Sequence, residues 1–388
     1  MSVKAEESND DVSTKPSLRN QIIGLSDWWK LQTESDVSAT SILDLRSAEE
    51  SGKRSLVAPT HQETSSINLV VVPIPMAVVQ KRSFELPARH IKFSILVSEA
   101  DLEEADSFLC GSNRKRPNPW KVVHVLLDTE EFWSQAKDMG MVDEECSLLV
   151  DGQQNKRQRT EVLSTRDLST SSATKSRKRK FPLPRLWQPD PMVETILFSQ
   201  LVKLHDSSNR KPKQIWDLAA GAGRDVAFLA EELLAADNPY QIVAMDHRYN
   251  EKETNVVNDF WDRRGIRDQT TSLKLNLSQW NNLESAMASV LTANEVAAMF
   301  CVRFWKPELV KDIVQSKSIH PGVLFGISHF CKPSLGAPWN FDHPSEKTVL
   351  ERNQLSELFQ SQWDILHDEI ALDSDHGRTM IHFVARKR

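Results

Sequence analysis

The stretch Gln214 to Phe228, QIWDLAAGAGRDVAF, constrains the fold of this chain more than any other segment. Its first residues, Gln214 to Leu218, are mostly apolar and suit a strand that is covered on both faces. Gly221 and Gly223 follow, and glycine allows the backbone to turn tightly beside a ligand. From Arg224 onward the apolar residues recur at helical spacing. The stretch therefore predicts a buried strand, a glycine turn and a helix whose free N–H groups lie at the mouth of a cleft.

A carboxylate closes the next apolar strand, Gln241 to Asp246, about twenty residues after the glycine turn. Nucleotide-binding folds place an acid at this position, where it accepts hydrogen bonds from the ribose hydroxyls. A glycine turn by itself is also explained by packing alone. Its combination with Asp246 favours a ligand that contains a nucleoside.

The turn departs from the dinucleotide pattern GxGxxG, because no third glycine follows Gly223. Dinucleotide folds typically keep that glycine where the helix meets the pyrophosphate. The motif DLAAGAGRD instead resembles the first motif of class I S-adenosylmethionine-dependent methyltransferases. This resemblance points away from NAD and implies S-adenosyl-L-methionine as the cofactor. It also implies a Rossmann-like α/β domain with a seven-stranded sheet and an antiparallel final strand pair.

The resemblance also assigns roles to single residues. In that family the acid that opens the motif, here Asp217, supports the amino-acid end of the cofactor, and the acid at Asp246 binds the ribose. The third strand, predicted at Ser272 to Leu277, often ends in an acid that binds the adenine amino group, and Asn276 stands there. An amide oxygen can accept the same hydrogen bond, although a simple turn residue is an equally good interpretation. The positions assigned to the cofactor are Asp217, Ala219, Gly221, Gly223, Asp246, His247, Asn276, Leu277, Arg303 and Phe304.

The C-terminal half narrows the resemblance further. A fourth strand is predicted at Val296 to Phe304, and the sequences CVRFWKPELV and HPGVLFGISHFCKP resemble the tellurite-resistance type of small-molecule methyltransferase. The similarity runs from Arg185 to the end and includes a final strand pair, Trp363 to Ala371 and Thr379 to Lys387. It implies a small-molecule acceptor. An acceptor that is already anionic needs no base, which favours a thiol, a chalcogen or an oxyanion.

Arg303 and His329 are the candidate catalytic residues. Arg303 would hold an anionic acceptor or the cofactor carboxylate, and pairing with a surface acid is the alternative. His329, at the end of the fifth strand, is the candidate base, although a lone histidine is more often a satisfied hydrogen-bonding residue. Phe304 and Trp305 either offer a π face to the sulfonium or pack in the core. No metal site is predicted, because the four cysteines show no CxxC pairing.

Residues 20–150 alternate strands and helices and predict a separate α/β domain. Its predicted strands are Ser41 to Ser47, Ile67 to Pro75, Lys92 to Val97 and Lys121 to Leu127. The segments ILDLRSAEE and SFELPARH resemble a rhodanese-like domain, in which an Asp-x-Arg pair braces the sheet. A working rhodanese needs a reactive cysteine in the loop after its strand, but here that loop begins with Ser98 and Glu99. The resemblance therefore implies a catalytically silent module that serves for docking or covers the second domain.

Composition sets the remaining boundaries: a polar tail at residues 1–19, a basic disordered linker at residues 151–183 and the methyltransferase domain at residues 184–388. From Asp151 to Arg185 the chain has 10 Lys or Arg against 3 Asp or Glu, although its net charge is −6. The cluster Lys175 to Lys180 is either a nuclear localisation signal, a nucleic-acid contact or a solvated linker run, and we favour the linker run. Nucleic acid is thus a disfavoured partner that the linker leaves open.

The sequence also predicts a cytoplasmic protein without a membrane span, because the longest apolar run, Ile67 to Val79, is short and contains two prolines. Two functions remain open. One is a methyltransferase that uses S-adenosylmethionine. The other is a non-catalytic binding or scaffold protein that docks a partner through the silent domain and the basic linker. An NAD-dependent enzyme is a third alternative.

Overall fold

The computed structural model describes residues 17–34, 39–56, 68–111, 119–143, 182–204, 213–238, 240–279, 281–285, 296–373 and 377–388. The chain divides into two compact units, one formed by Met1–Ser83 and Pro87–Leu148 and the other by Phe84–Leu86 and Leu149–Arg388. The basic cluster Lys175 to Lys180 and Cys146 lie outside the described residues, as does most of the predicted linker.

The first unit is built on a parallel four-stranded sheet in the order β3-β1-β4-β5. The strands of this unit are β1 Ala39–Asp44, β2 Ser55–Leu56, β3 Asn68–Pro73, β4 Lys92–Val97, β5 Lys121–Leu127 and β6 Val142–Asp143, the short β2 and β6 forming a separate antiparallel pair. Its helices are α1 Leu25–Glu34, α2 Ala48–Lys53, α3 Met76–Val79, α4 Leu102–Leu109 and α5 Glu130–Asp138. The bounds predicted for β4 and β5 are confirmed, and so is the α/β character of the unit.

Strand β1 ends earlier than predicted, at Asp44, because the next residues turn back onto it. Arg46 donates from Nε to Oδ1 of Asp44 at 3.0 Å and from Nη2 to Oδ2 at 2.8 Å. The Ser51 hydroxyl donates to the same carboxylate at 3.0 Å, and the Arg46 guanidinium lies over the Trp133 ring at 4.6 Å. The two ionic side chains are 2% and 3% exposed, so the structure contains a fully buried and fully hydrogen-bonded ion pair.

The second unit contains a mixed seven-stranded sheet in the order β12-β13-β11-β10-β7-β8-β9. Its strands are β7 Gln214–Leu218, β8 Gln241–Asp246, β9 Thr270–Lys274, β10 Val296–Val302, β11 Leu324–Phe330, β12 Trp363–Leu372 and β13 Thr379–Lys387. Strand β13 pairs antiparallel with both β11 and β12, while the other neighbours are parallel. The predicted seven-stranded sheet with an antiparallel final pair is confirmed.

The helices of this unit cover both faces of the sheet. They are a π-helical segment Met192–Leu197 that continues as α6 Phe198–Lys203, then α7 Arg224–Ala235, α8 Glu251–Arg264, α9 Pro307–Gln315 and α10 Gln354–Phe359. Trp216 and Phe325 belong to a core that includes side chains of α9 and α10. Ile215 and Phe300 belong to a second core with side chains of α7 and α8. We call these the first and the second core, and each strand alternates between them because successive side chains point to opposite faces.

The predicted third and fourth strands of this unit end earlier in the structure than the sequence predicts. The third strand is Thr270–Lys274 and not Ser272 to Leu277, since beyond it the Asn276 carboxamide oxygen accepts a hydrogen bond from the Ser278 N–H and forms a turn. The fourth strand ends at Val302 and not at Phe304, because Arg303 has a φ of 53°, which no strand residue adopts.

The order of the strands in the sheet reverses direction at β7. The chain starts its sheet at β7 in the middle, continues outward through β8 and β9, and then returns to the other side of β7 with β10. Parallel α/β sheets bind ligands where the strand order reverses, at the carboxyl ends of the strands. A ligand-binding site is therefore expected at the carboxyl ends of β7, β8 and β10.

Within the described ranges, no helix has the length and apolar character needed to cross a membrane. The same part of the chain contains no group of three His, Cys, Asp or Glu side chains that could hold a metal ion.

We expect Arg46→Met to destabilise the first unit by about 3–5 kcal/mol, because it leaves the Asp44 carboxylate buried without its charge partner. Urea unfolding of the full chain measures this. The matched control is Lys53→Met, which removes an exposed pair with Glu49 at 2.8 Å and should cost less than about 1 kcal/mol. Equal effects of the two substitutions would contradict a structural role for the buried pair.

Candidate functional site

The glycine turn after β7 is held by backbone hydrogen bonds to the neighbouring strand. The N–H groups of Ala219 and Ala220 both donate to the Met245 carbonyl at 2.9 Å. The backbone has positive φ at three positions of the turn, 73° at Ala219, 58° at Gly221 and 70° at Gly223. Glycine adopts such angles without strain, which explains two of these three residues.

Gly223 is required for a second reason, because it packs directly on the indole of Trp261. A Cβ atom at Gly223 would lie 2.9 Å from the nearest indole carbon, closer than real contacts allow. The Trp261 indole N–H donates to the Gly223 carbonyl at 3.3 Å, and Trp261 is fully buried in the second core. The start of α7 is therefore fixed against α8 by a contact that only glycine permits.

Asp246, at the end of β8, faces this turn. Its carboxylate accepts hydrogen bonds from the Gly221 N–H at 3.0 Å and from the Arg248 N–H at 2.8 Å. The Arg248 guanidinium reaches it at 3.2 Å, and Nδ1 of the exposed His247 lies 3.3 Å away. Burial acts to raise the pKa of Asp246, but these hydrogen bonds outweigh it and lower the pKa. The acid is thus a carboxylate that is fixed beside the glycine turn, and its role in binding a ribose stays a prediction.

Asp217, the last acid of β7, is in the opposite situation. Its side chain is 2% exposed. Burial, followed by the charges of Asp225 and Asp246, raises its pKa well above the usual value. Nearby, the Tyr249 hydroxyl is buried without a hydrogen-bond partner among the described residues. A buried acid beside like charges and an unpaired buried hydroxyl are both costly, so these two groups mark a place where a ligand is expected.

Two further acids join Asp217, and we call Asp190, Asp217 and Asp225 the acid cluster. Asp225 lies in the first turn of α7, and its carboxylate accepts a hydrogen bond from the Asp190 N–H at 2.8 Å. Burial and the Asp190 charge raise the pKa of Asp225 to about 7. Ser328 of β11 donates to the Asp190 carboxylate at 2.9 Å. The cluster therefore extends from the glycine turn across the carboxyl ends of β7 and β11.

Arg303 follows β10 and lies beside the acid cluster. Its N–H donates to the Ser328 carbonyl at 2.7 Å, and its charge acts to lower the pKa values of Asp190 and Asp225. The guanidinium is 46% exposed and lies 3.4 Å from the buried Asp373. The structure thus places the predicted anion-binding residue at the site, but gives it a carboxylate partner.

His329, the predicted base, does not join this cluster. It follows Ile327 on the face of β11 that belongs to the first core, whereas Asp217 and Ser328 lie on the second-core face. Its Nε2 contacts the Thr348 carbonyl at 2.8 Å, so Nε2–H is the donor, while Nδ1 is buried without a partner. Burial lowers the pKa of His329 to about 4. The imidazole is therefore neutral at physiological pH.

The remaining predicted cofactor residues lie outside this constellation. Asn276 is exposed and lies beyond the end of β9, and Leu277 is 5% exposed in the first core. Phe304 and Trp305 are partly buried and pack on the same core. These contacts favour the interpretation that Phe304 and Trp305 pack in the core.

The structure brings together Asp217, Gly221, Gly223 and Asp246, as the sequence predicts. Sequence reasoning missed Asp190 as a member of the site, since it precedes β11 by more than a hundred residues and no motif marks it. For Asp225 a local signal existed. It stands in the first turn of the helix that follows the glycine turn, which is the helix end that points toward the cleft.

No family model matches the sequence, and comparison with curated proteins found no match. Comparison with solved structures did find similar folds. One is the Burkholderia thailandensis 1,6-didemethyltoxoflavin-N1-methyltransferase with bound 1,6-didemethyltoxoflavin and S-adenosylhomocysteine. It is 15% identical over 50% of this chain and 78% of that chain, with a TM-score of 0.32.

Two others are TrmK of M. capricolum in complex with S-adenosylhomocysteine and a geranyl diphosphate methyltransferase in complex with S-adenosylmethionine. The first is 13% identical over 50% of this chain and 69% of that chain, with a TM-score of 0.32. The second is 10% identical over 50% and 84%, with a TM-score of 0.35. These TM-scores are low, so the likeness to these structures carries no inference about function.

We expect Gly223→Ala to destabilise the second unit more than Gly322→Ala does. Both positions have positive φ, 70° and 91°, but a Cβ at Gly322 meets nothing within 4 Å. Both variants carry the backbone strain, and only Gly223→Ala adds the clash with Trp261, about 1–3 kcal/mol more by the usual cost of overpacking. Urea unfolding of both variants measures the difference. Equal unfolding midpoints would show that the Trp261 side chain moves aside at no cost in stability.

Proposed function

We propose that this chain is an S-adenosylmethionine-dependent methyltransferase that acts on a small molecule, with its cofactor site at the glycine turn of the second unit. The observation that supports this most directly is the buried acid Asp217 beside Gly221 and Gly223, whose pKa is raised by burial and by the charges of two neighbouring acids. A buried acid among like charges favours a ligand that brings positive charge or hydrogen-bond donors.

The charge of the acid cluster distinguishes between the possible nucleoside ligands. S-adenosylmethionine carries an ammonium and a sulfonium group, both of which are attracted to carboxylates. A dinucleotide carries a pyrophosphate, which would lie at the first turn of the helix after the glycines. That turn contains Asp225, hydrogen-bonded to the Asp190 backbone, and its carboxylate would repel a phosphate. The electrostatics therefore favour the methyl donor over NAD.

Asp246 would hold the ribose of this ligand. Its carboxylate is already oriented by the Gly221 N–H and the Arg248 N–H. The Arg248 side chain also contacts it but is 61% exposed, so the guanidinium can move aside for the ribose hydroxyls without disturbing the core. The adenine contact of Asn276 remains a prediction, since its exposed carboxamide oxygen accepts the Ser278 N–H and keeps a second lone pair.

When bound, the cofactor supplies an electrophilic methyl group, and transfer is an in-line displacement. The protein residues then have to align the acceptor with the methyl group and keep water away. Asp217 and Asp246 are buried and rest on rigid strands, which suits that task. The acceptor class proposed from the sequence is a thiol, a chalcogen or an oxyanion.

Isothermal calorimetry with S-adenosylhomocysteine tests the proposal on the full chain. We expect binding by the natural sequence and at least about a tenfold loss of affinity in Asp217→Asn and in Asp246→Ala, since a hydrogen bond to a charged group contributes about 1.5–3 kcal/mol. Asp217→Asn should at the same time stabilise the free protein near neutral pH, because the raised pKa of Asp217 means that burying this carboxyl group lowers the folding stability above its unfolded pKa.

The matched control for these variants is Asp262→Asn, which changes an exposed acid on α8 and should leave the affinity unchanged. Binding of NAD in place of S-adenosylhomocysteine, or no loss of affinity in Asp217→Asn, would refute the proposed site.

We infer that the first unit is a rhodanese-like module without sulfur-transfer activity, used for docking. The buried Asp44 and Arg46 pair supports the resemblance. In the loop after β4, the Ser98 hydroxyl donates to the Asp101 carboxylate at 2.8 Å where a reactive thiolate would be needed. Cys110 caps α4, and burial together with the nearby Asp106 raises its pKa to about 11, so it is a protonated thiol.

We therefore expect no thiocyanate formation from thiosulfate and cyanide above the uncatalysed rate. A colorimetric thiocyanate assay on the full chain measures this, with Cys110→Ser as the matched variant. Activity that Cys110→Ser abolishes would overturn the inference of a silent module.

A further inference from the structure

Asp190 is hydrogen-bonded both to strand β11 and to the helical segment Met192–Leu197. Its Oδ1 accepts the Met192 N–H at 3.0 Å and its Oδ2 accepts the Ser328 hydroxyl at 2.9 Å. Its own N–H donates to Asp225 at 2.8 Å. Asp190 as a whole is half-buried. The hydrogen bonds fix the orientation of the carboxylate and leave each oxygen a further lone pair.

Sheet register places a histidine next to this carboxylate. Ser328 of β11 is paired with His382 of β13, so the two side chains lie on the same face of the sheet. On the other side of β13, His382 is paired with Glu369, whose side chain is 75% exposed. Asp190, His382 and Glu369 thus form a line of titratable groups from the cleft toward solvent.

The groups that face Asp190 come from every element around it. They are Ser328 on β11, His382 on β13, Asp225 on α7, Arg303 after β10 and the Met192 N–H. Burial raises the pKa of Asp190, although Ser328, His382 and Arg303 oppose it. A carboxylate with a raised pKa is a better proton acceptor near neutral pH than a free aspartate.

We propose that Asp190 is the general base of the methyl transfer, and that the acceptor is therefore a neutral thiol or hydroxyl and not an oxyanion. This inference rests on the proposed function and deepens it. An oxyanion would be repelled by the acid cluster, and the Arg303 guanidinium, which could attract it, already lies 3.4 Å from Asp373. A neutral X–H group can instead donate to Asp190.

The step balances in atoms and electrons. The acceptor atom X forms a bond to the methyl carbon, the bond between that carbon and the donor sulfur breaks, and its electron pair stays on sulfur. The X–H proton moves to a carboxylate oxygen of Asp190. From there it can pass through His382 toward Glu369 at the surface. Ser328 is a positioning residue, because it orients Asp190 and makes no contact with the reacting atoms in this scheme.

The alternatives to Asp190 are less suitable. His329 faces the first core, on the opposite side of the sheet from the acid cluster, and its buried Nδ1 does not face Asp217. Asp225 lies nearer the glycine turn, where its charge acts on Asp217 and its carboxylate accepts the Asp190 N–H. Its position suits the cationic end of the cofactor better than the acceptor.

The test compares three acceptors with methyl-labelled S-adenosylmethionine and the full chain near neutral pH. 2-Mercaptoethanol and phenol are neutral under these conditions, whereas 4-nitrothiophenol is already a thiolate. Asp190→Asn keeps the shape of the side chain and one acceptor oxygen for the Met192 N–H, and its NH₂ group can donate to the Ser328 hydroxyl, but it cannot take a proton. We expect it to slow transfer to the neutral acceptors by about 10²–10⁴-fold and not to slow transfer to the thiolate, which needs no base and is repelled less once the Asp190 charge is removed.

Two further variants complete the design. Glu194→Gln removes an exposed acid from the same helical segment and should change no rate. Ser328→Ala should slow the neutral acceptors by about tenfold or less, the value of one hydrogen bond, and again spare the thiolate. S-adenosylhomocysteine calorimetry on each variant shows whether the cofactor site is intact.

The outcomes are distinguishable. An equal loss for all acceptors in Asp190→Asn, with unchanged S-adenosylhomocysteine affinity, would mean that Asp190 only shapes the pocket. Binding of S-adenosylhomocysteine without transfer to any of the three acceptors would overturn the neutral thiol or hydroxyl class while the cofactor site stands. Absence of S-adenosylhomocysteine binding would remove the proposed function itself, and the role of Asp190 with it.

Discussion

The attachment of the glycine turn to strand β8 is the interaction on which the second unit depends. Two consecutive N–H groups, of Ala219 and Ala220, share the Met245 carbonyl, and the next N–H, of Gly221, is bound by the Asp246 carboxylate. These bonds satisfy backbone groups that would otherwise be buried and unpaired at the end of a strand. They also fix where α7 begins, because Gly223 rests on Trp261. A ligand that enters the cleft therefore meets an arrangement that is already in place.

That rigid frame surrounds a local excess of negative charge. Asp246 is hydrogen-bonded and its pKa is lowered, whereas Asp217 is buried beside other acids and its pKa is raised. The same kind of side chain thus has opposite electrostatic surroundings at the ends of adjacent strands. Burying an acid beside like charges costs free energy, which folded proteins tolerate where a ligand compensates for it. The contrast favours a cationic ligand that also carries a ribose.

The first unit also contains a buried acid, but its hydrogen-bond donors come from the chain itself. Asp44 is as buried as Asp217, but Arg46 and Ser51 donate to it from within the chain, and the group is complete. Its loop after β4 lacks a thiol, and Cys110 is a protonated, partly buried residue at a helix end. Buried acids of the described residues therefore differ in their surroundings: Asp44 and, in the second unit, Glu231 have arginine partners, whereas Asp217 lies among like charges.

Local sequence determined much of this architecture. The glycine turn, the bounds of β4, β5, β8 and β13 and the antiparallel final pair follow from apolar runs and turn residues, which are properties of neighbouring positions. The sequence also placed Asp217, Gly221, Gly223 and Asp246 in one site, because they belong to one strand, turn and strand unit. It misplaced the ends of β9 and β10, where the Asn276 turn and the positive φ of Arg303 end the strands.

Only the tertiary structure decided which distant residues share the cleft. Asp190 reaches Ser328 across 138 positions, and His329, one residue further along, faces the other core. Strand register and the alternation of side chains make that choice, and neither can be read from the residues themselves. The sequence thus determined the glycine turn. The packing of a helical segment on β11 decided that Asp190 joins the acid cluster, because burial and partners act only once the sheet is assembled.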